Sequence, residues 1–112
     1  MEKVTAGRDA LGEFAPVFAA LNDDVLFGQI WSRTDQLSAR DRSLVTVAAL
    51  VAGGNVEQLR PHLERAKANG VTAQEIAEVL THLAFYAGWP RAWSAFNRAT
   101  EVYADSEPVD PA

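Results

Sequence analysis

Two histidines carry the first chemical option in this sequence. His62 and His82 bear the side chain whose unperturbed pKa lies nearest neutrality, so they are the candidates for proton transfer. His62 follows Leu59 by three positions and Asn55 by seven, at the edge of an apolar helical stripe shared with Asn55 and Gln58. His82 follows Val79 by three, near the apolar face of the next segment. Helices joined by the short Asn69-Gly70 turn are expected to pack antiparallel, so the two rings can meet at one pocket, within a chain or across an interface. The competing reading is two satisfied packing histidines. Their twenty-residue separation matches no metal motif, and neither has a carboxylate four positions on, so no metal site is expected.

Arginines Arg33, Arg40, Arg42, Arg60 and Arg65 cluster between residues 33 and 65. A guanidinium grips a carboxylate with a planar fork of donors, which makes Arg33, Arg42 and Arg60 candidates for holding an acidic small molecule. Most helical arginines nevertheless sit in surface ion pairs. Arg60 is two residues from His62, about 200° away around one helix, so the two share a pocket only at a helix edge or through a second subunit. Trp31, Tyr86 and Trp93 are candidate pocket walls, with core or interface packing as the plainer reading. Ser43 lacks a Gly-x-Ser-x-Gly elbow, and the chain has no Walker loop, no Gly-x-Gly-x-x-Gly and no His-Glu-x-x-His.

The elements that must position these groups read as helices throughout. The patterning predicts helices near residues 10–20, where Pro16 marks a break or restart, and 23–32, where Asp23 and Asp24 suit the positive N-terminal end. Ser38 to Asp41 resembles a capping box, and the run Leu44 to Ala52 behind it is apolar on nearly every side. Asn55 is expected to cap a fourth helix with the stripe Val56, Leu59, Leu63 and Ala66. Thr72 and Glu75 form a full capping box for a fifth, whose stripe is Ile76, Val79, Leu80 and Leu83. A sixth starts at Pro90, with Trp93, Phe96 and Val102 expected to face inward. The expectation is an all-α, single compact domain of about six helices over residues 9–104. Residues 1–8 read as a flexible N-terminus. Residues 105–112, with two prolines and three acids, read as a disordered tail. The apolar third helix favours a homo-oligomer over one buried within a single chain.

Composition narrows the classes of function. The chain has 112 residues, 48% of them hydrophobic and 22% charged, as in an ordinary single domain. Ten basic against fifteen acidic residues give a net charge of −5, which disfavours nucleic acid as a partner. There is no cysteine, hence no thiolate or disulfide chemistry. No run is long enough to span a membrane, and the start lacks a signal-peptide pattern, so a cytoplasmic location is expected.

Several stretches together resemble the carboxymuconolactone decarboxylase family. They are Phe27 to Arg33, Leu37 to Leu50, His62-Leu63, Asn69 to Thr72, Glu75-Ile76, Glu78 to Leu80 and Tyr86 to Pro90, spread over residues 11–104. The alkylhydroperoxidase (AhpD-like) branch has the motif Glu-x11-Cys-x2-Cys-x3-His. Here it falls on Ser43, Asn55, Gln58 and His62, and only the histidine survives, so peroxidase activity is not expected. Arg42-Ser43-Leu44 is similar to the cysteine-free γ-carboxymuconolactone decarboxylase branch. His82 and Trp93 depart from that branch, where glutamine and asparagine are frequent. The resemblance implies an AhpD-like helical fold, trimers or hexamers with pockets near subunit contacts, and a role in aromatic-compound catabolism. It also implies a cofactor-free lyase acting on a small carboxylated lactone or oxo acid. In that reading His62 delivers the proton with His82 assisting. Ser43 and Asn55 hydrogen-bond the developing enolate, and an arginine holds carboxylates. The alternative is a non-catalytic small-molecule binder or assembly protein on the same scaffold.

Overall fold

Apolar residues at three- and four-residue steps dictate helices, and helices are what form. The computed structural model describes residues 3–111, and no strand occurs among them. Met1, Glu2 and Ala112 lie outside the described residues, so the expectations for the two ends are not followed there. The helices are α1 (Ala6–Leu11), α2 (Pro16–Ala20), a π-helical continuation of α2 (Leu21–Ile30), α3 (Ala39–Gly53), α4 (Val56–Ala68), α5 (Ala73–Ala87) and α6 (Trp89–Val102). They group into two compact units, one ending at Ala39 and the other starting at Arg40. None of the described helices is long and apolar enough to cross a membrane.

In the first unit Pro16 restarts the helix rather than kinking it, since its missing N–H costs nothing at the first helical position. α1 begins inside the stretch expected to be loose. Its local cap, Thr5, makes no side-chain capping bond. The buried Asp23 carboxylate supplies the cap from a distance. It accepts the first-turn N–H groups of Gly7 (2.8 Å) and Arg8 (3.0 Å). Gly7 makes this approach possible: a Cβ there would sit 2.7 Å from Asp23 Oδ1 and 2.8 Å from the Ala19 carbonyl oxygen. Trp31 is buried and stacks on Phe27 at 5.9 Å. Other large apolar side chains of this region stay outside. Phe14, Val17, Phe18 and Leu21 are all exposed.

The second unit has one core. It joins Val47 and Val51 of α3, Leu59, Leu63 and Ala66 of α4, Ile76 and Leu80 of α5, and Ala95, Ala99 and Val102 of α6. The stripe of α4 is as expected. α6 is the helix that packs along both α4 and α5. It does so with Ala92, Ala95, Ala99 and Val102 buried. Trp93, expected inward, is 63% exposed, because it lies one position off that stripe. α3 buries Ser43, Val47 and Val51 but leaves Val45 61% exposed. Asn55 occupies the N-cap of α4 without the expected side-chain capping bond. Thr72 and Glu75 do form the reciprocal box on α5, and Arg40 of α3 pairs with the same Glu75 carboxylate. Gly88 turns the chain from α5 into α6 at φ +105°, a conformation that a Cβ opposes. The Tyr103 hydroxyl donates to the Val71 carbonyl at 2.7 Å in the interior.

Two stability predictions follow from these contacts. Burial opposes ionisation of Asp23, but hydrogen bonds from Asn22, Arg8 and Gly7 with the Arg8 charge outweigh it and hold the carboxyl below 3.8. Its contribution is present above the unfolded value and is lost as pH falls through the lower folded value. Thermal melts across the acid range should therefore show Asp23→Asn less stable than wild type at neutral pH, with the gap closing in acid. Burial, followed by the charge of Glu75, pushes the Tyr103 phenol up to about 12. Stability should fall as pH rises from the unfolded value of 10.0 towards about 12. Tyr103→Phe should remove that alkaline loss and cost about 1–3 kcal/mol at neutral pH, read by denaturant unfolding.

Candidate active site

α4 positions His62 on the shoulder of its buried stripe, between Leu59 and Leu63, both at most 1% exposed. The residue before it is Pro61, which has no N–H and leaves the Glu57 carbonyl without its usual donor inside the helix. The His62 ring is half-buried and its Nδ1 is a buried atom. Desolvation first, and the charge of Arg65 second, lower its pKa below 6.5. Near neutral pH the ring is therefore an uncharged imidazole, and once protonated it is a stronger acid than a free one. Arg65 is itself half-buried, and burial lowers its pKa too. Its position three residues after His62 places both on one helix face. That spacing was the signal for Arg65, which the choice among arginines passed over.

The two histidines sit in different surroundings. His82 is exposed and stacks on Tyr86, one turn later, at 4.9 Å. It lines a cleft of about 460 Å³ between α3 and α5, whose other walls include Leu44, Val45, Ala48 and Val79. Glu78, one turn before His82, is the acidic group in that wall. It too was missed, although four-residue spacing pairs it with His82. The walls of this cleft do not include His62. With α6 packed along both α4 and α5, the helix pairing expected to bring the rings together is not the main packing of this unit.

The remaining candidates divide by burial. Ser43 is fully buried, and its Oγ accepts a hydrogen bond from Asn69 Nδ2 at 3.0 Å, which ties α3 to the C-terminal end of α4. Arg42 is half-buried on α3, and its carbonyl accepts from the Thr46 hydroxyl. Arg60 is held at the surface by Glu64 (3.2 Å) and by Glu101 of α6 (2.7 Å). Asn55 is exposed at the head of α4. Arg33 and Trp31 belong to the first unit, Arg33 exposed and Trp31 buried. Tyr86, Trp93, Phe85 and Trp89 are exposed about the α5–α6 corner, with Phe85 and Trp89 edge to face at 5.9 Å.

Comparison with known proteins agrees with this helical layout. The model of the carboxymuconolactone decarboxylase family matches residues 16–101. A protein of Acinetobacter baylyi named 4-carboxymuconolactone decarboxylase is 37% identical over 102 residues, 91% of this chain and 75% of the relative. An uncharacterized 15.0 kDa protein of Paracoccus denitrificans, from an nqo9-nqo10 intergenic region, is 31% identical over 100 residues, 88% of this chain and 74% of its own. A helical chain matched over most of its length, with the half-buried His62 inside the matched region, belongs to the carboxymuconolactone decarboxylase family.

Proposed function

We propose that this chain is a cofactor-free decarboxylase, or a related lyase or isomerase, acting on a small carboxylated lactone or oxo acid. The observation that carries the reading is the 37% identity, across 91% of the chain, to the protein named 4-carboxymuconolactone decarboxylase. The chemistry asks little of the protein. The carbon–carboxylate bond breaks, its electron pair passes through the conjugated system onto the carbonyl oxygen, and carbon dioxide leaves. The resulting enolate then takes one proton on carbon. His62, as imidazolium, is the proposed donor. The depressed pKa supports this role, because it makes the imidazolium a readier acid. Arg42 is the proposed carboxylate grip within the second unit, with burial first and Arg65 second raising the acidity of the His62 imidazolium. Arg60 is a weaker choice, because two glutamates already hold it.

In this reading His82 with Tyr86 assists from the α3–α5 cleft, and Ser43 acts by packing α3. The protein works as a homo-oligomer, a trimer or hexamer. The support is the exposed apolar surface left on the single chain by Val45, Phe85, Tyr86, Trp89 and Trp93. Such a surface also suits the alternative of an assembly or ligand-binding protein on this scaffold.

Two measurements test the proposal. Turnover of carboxymuconolactone by His62→Ala should fall by about 10²- to 10⁴-fold, with the oligomer intact by light scattering. Wild-type kcat should rise as pH falls towards a midpoint below 6.5, because the protonated fraction of His62 grows in that direction. A lactone that binds with no release of carbon dioxide would favour the non-catalytic alternative.

A further inference from the structure

Beyond Val102 the chain does not leave the fold. Ser106 N donates to the Tyr103 carbonyl at 3.0 Å, closing a turn. Lys67 Nζ holds that turn from α4, donating to the Val102 carbonyl at 3.1 Å and pairing with Asp105 at 2.5 Å. The segment then runs back to the first turn of α5. There one side chain reads its backbone in both directions: Asp110 N donates to Gln74 Oε1 at 2.8 Å, and Gln74 Nε2 donates to the Asp110 carbonyl at 3.2 Å. A primary amide is a peptide group in miniature, so Gln74 does for one residue what a neighbouring strand would do.

Beneath this segment lies an apolar hollow of about 330 Å³. Its walls include small and aromatic side chains, Ala73 and Ala77 of α5 with Phe96 and Ala99 of α6, and Pro108 and Val109 of the segment line its open side. A second hollow of about 470 Å³ shares the same segment as a wall, so packing is incomplete on both of its flanks. An apolar cavity of about 150 Å³ already accommodates benzene, so the first hollow has room for a substituted ring. Asp105 is paired with Lys67, and Glu107 lines the hollow, where its charge opposes an anionic guest.

We propose that residues 106–111 form a strap, latched by Gln74 onto the Asp110 backbone, over a hollow that binds a small neutral aromatic or aliphatic molecule. Two exposed hydrogen bonds offset only part of the entropy lost in ordering six residues, so the strap opens locally while the helices stay folded. Acid repulsion separates this hollow from the carboxylate chemistry proposed above. A guest here is an added ligand, and its binding is read independently of turnover.

The test is a methyl and amide NMR titration of the full chain with toluene. Saturable shifts are expected at the methyls of Ala73, Ala77 and Val109, and benzoate at equal concentration should leave those methyls unmoved. Ala77→Leu fills the hollow and should weaken toluene binding by at least about tenfold, with helical content unchanged. Gln74→Ala keeps the hollow but removes the latch, and should speed hydrogen exchange of the Asp110 amide by about tenfold or more. The proposal is overturned if toluene shows no saturable shift in the wild type. It also fails if benzoate binds equally well, or if Gln74→Ala leaves Asp110 exchange unchanged.

Discussion

The second unit depends on the small side chains that α6 turns towards its neighbours. Ala92, Ala95 and Ala99 are all at most 5% exposed, and Ala95 is sealed completely. A helix lined with methyl groups can lie close to two partners at once, and α6 lies along both α4 and α5. The bulk of the core then comes from the facing helices, through Leu59, Leu63, Ile76 and Leu80. The large aromatic residues of the α5–α6 corner have no place in such an interior. They stand on the outer surface, where Trp89 is 58% and Trp93 63% exposed.

Local backbone bonds close most helix ends in this protein, and side chains from far along the chain reach three of them as well. The Asp23 carboxylate takes the first amides of α1 from fifteen and sixteen residues away. Arg91 of α6 donates to the Ala52 carbonyl at the end of α3, and Lys67 of α4 donates to the Val102 carbonyl at the end of α6. Thr72 and Glu75 form a local side-chain box, which in turn accepts Arg40. These three contacts couple one end each of α1, α3 and α6 to the placement of another element. On α4, burial lowers the pKa of both His62 and Arg65.

That burial gives the candidate site its electrostatic character. Charge on a half-buried imidazole is disfavoured by lost water and again by a neighbouring guanidinium. His82 is exposed, stacked on Tyr86 beside an apolar cleft. Two residues of one type, twenty positions apart, thus differ in burial and in the groups that face them.

Much of this was written locally. The helical period of α4 and α5, the Thr72 box, the restart at Pro16 and the turn at Gly88 follow from short-range rules, because backbone sterics and i to i+4 geometry act within a few residues. The family could be read from short stretches for the same reason, since each is a turn, a cap or a helix face. Other features were not legible. Whether Trp93 or Ala92 faces inward depends on which helix α6 meets, and that is decided by packing against α4 and α5 together. Asp23 as a distant cap, Glu101 holding Arg60 and Gln74 holding Asp110 join residues far apart in the chain, and no local pattern encodes such pairs. The sequence named an imidazole at position 62. Helical spacing set Arg65 on the same face, but the burial that does most to set the imidazole's acidity was decided only when the tertiary structure removed water from one side of the ring.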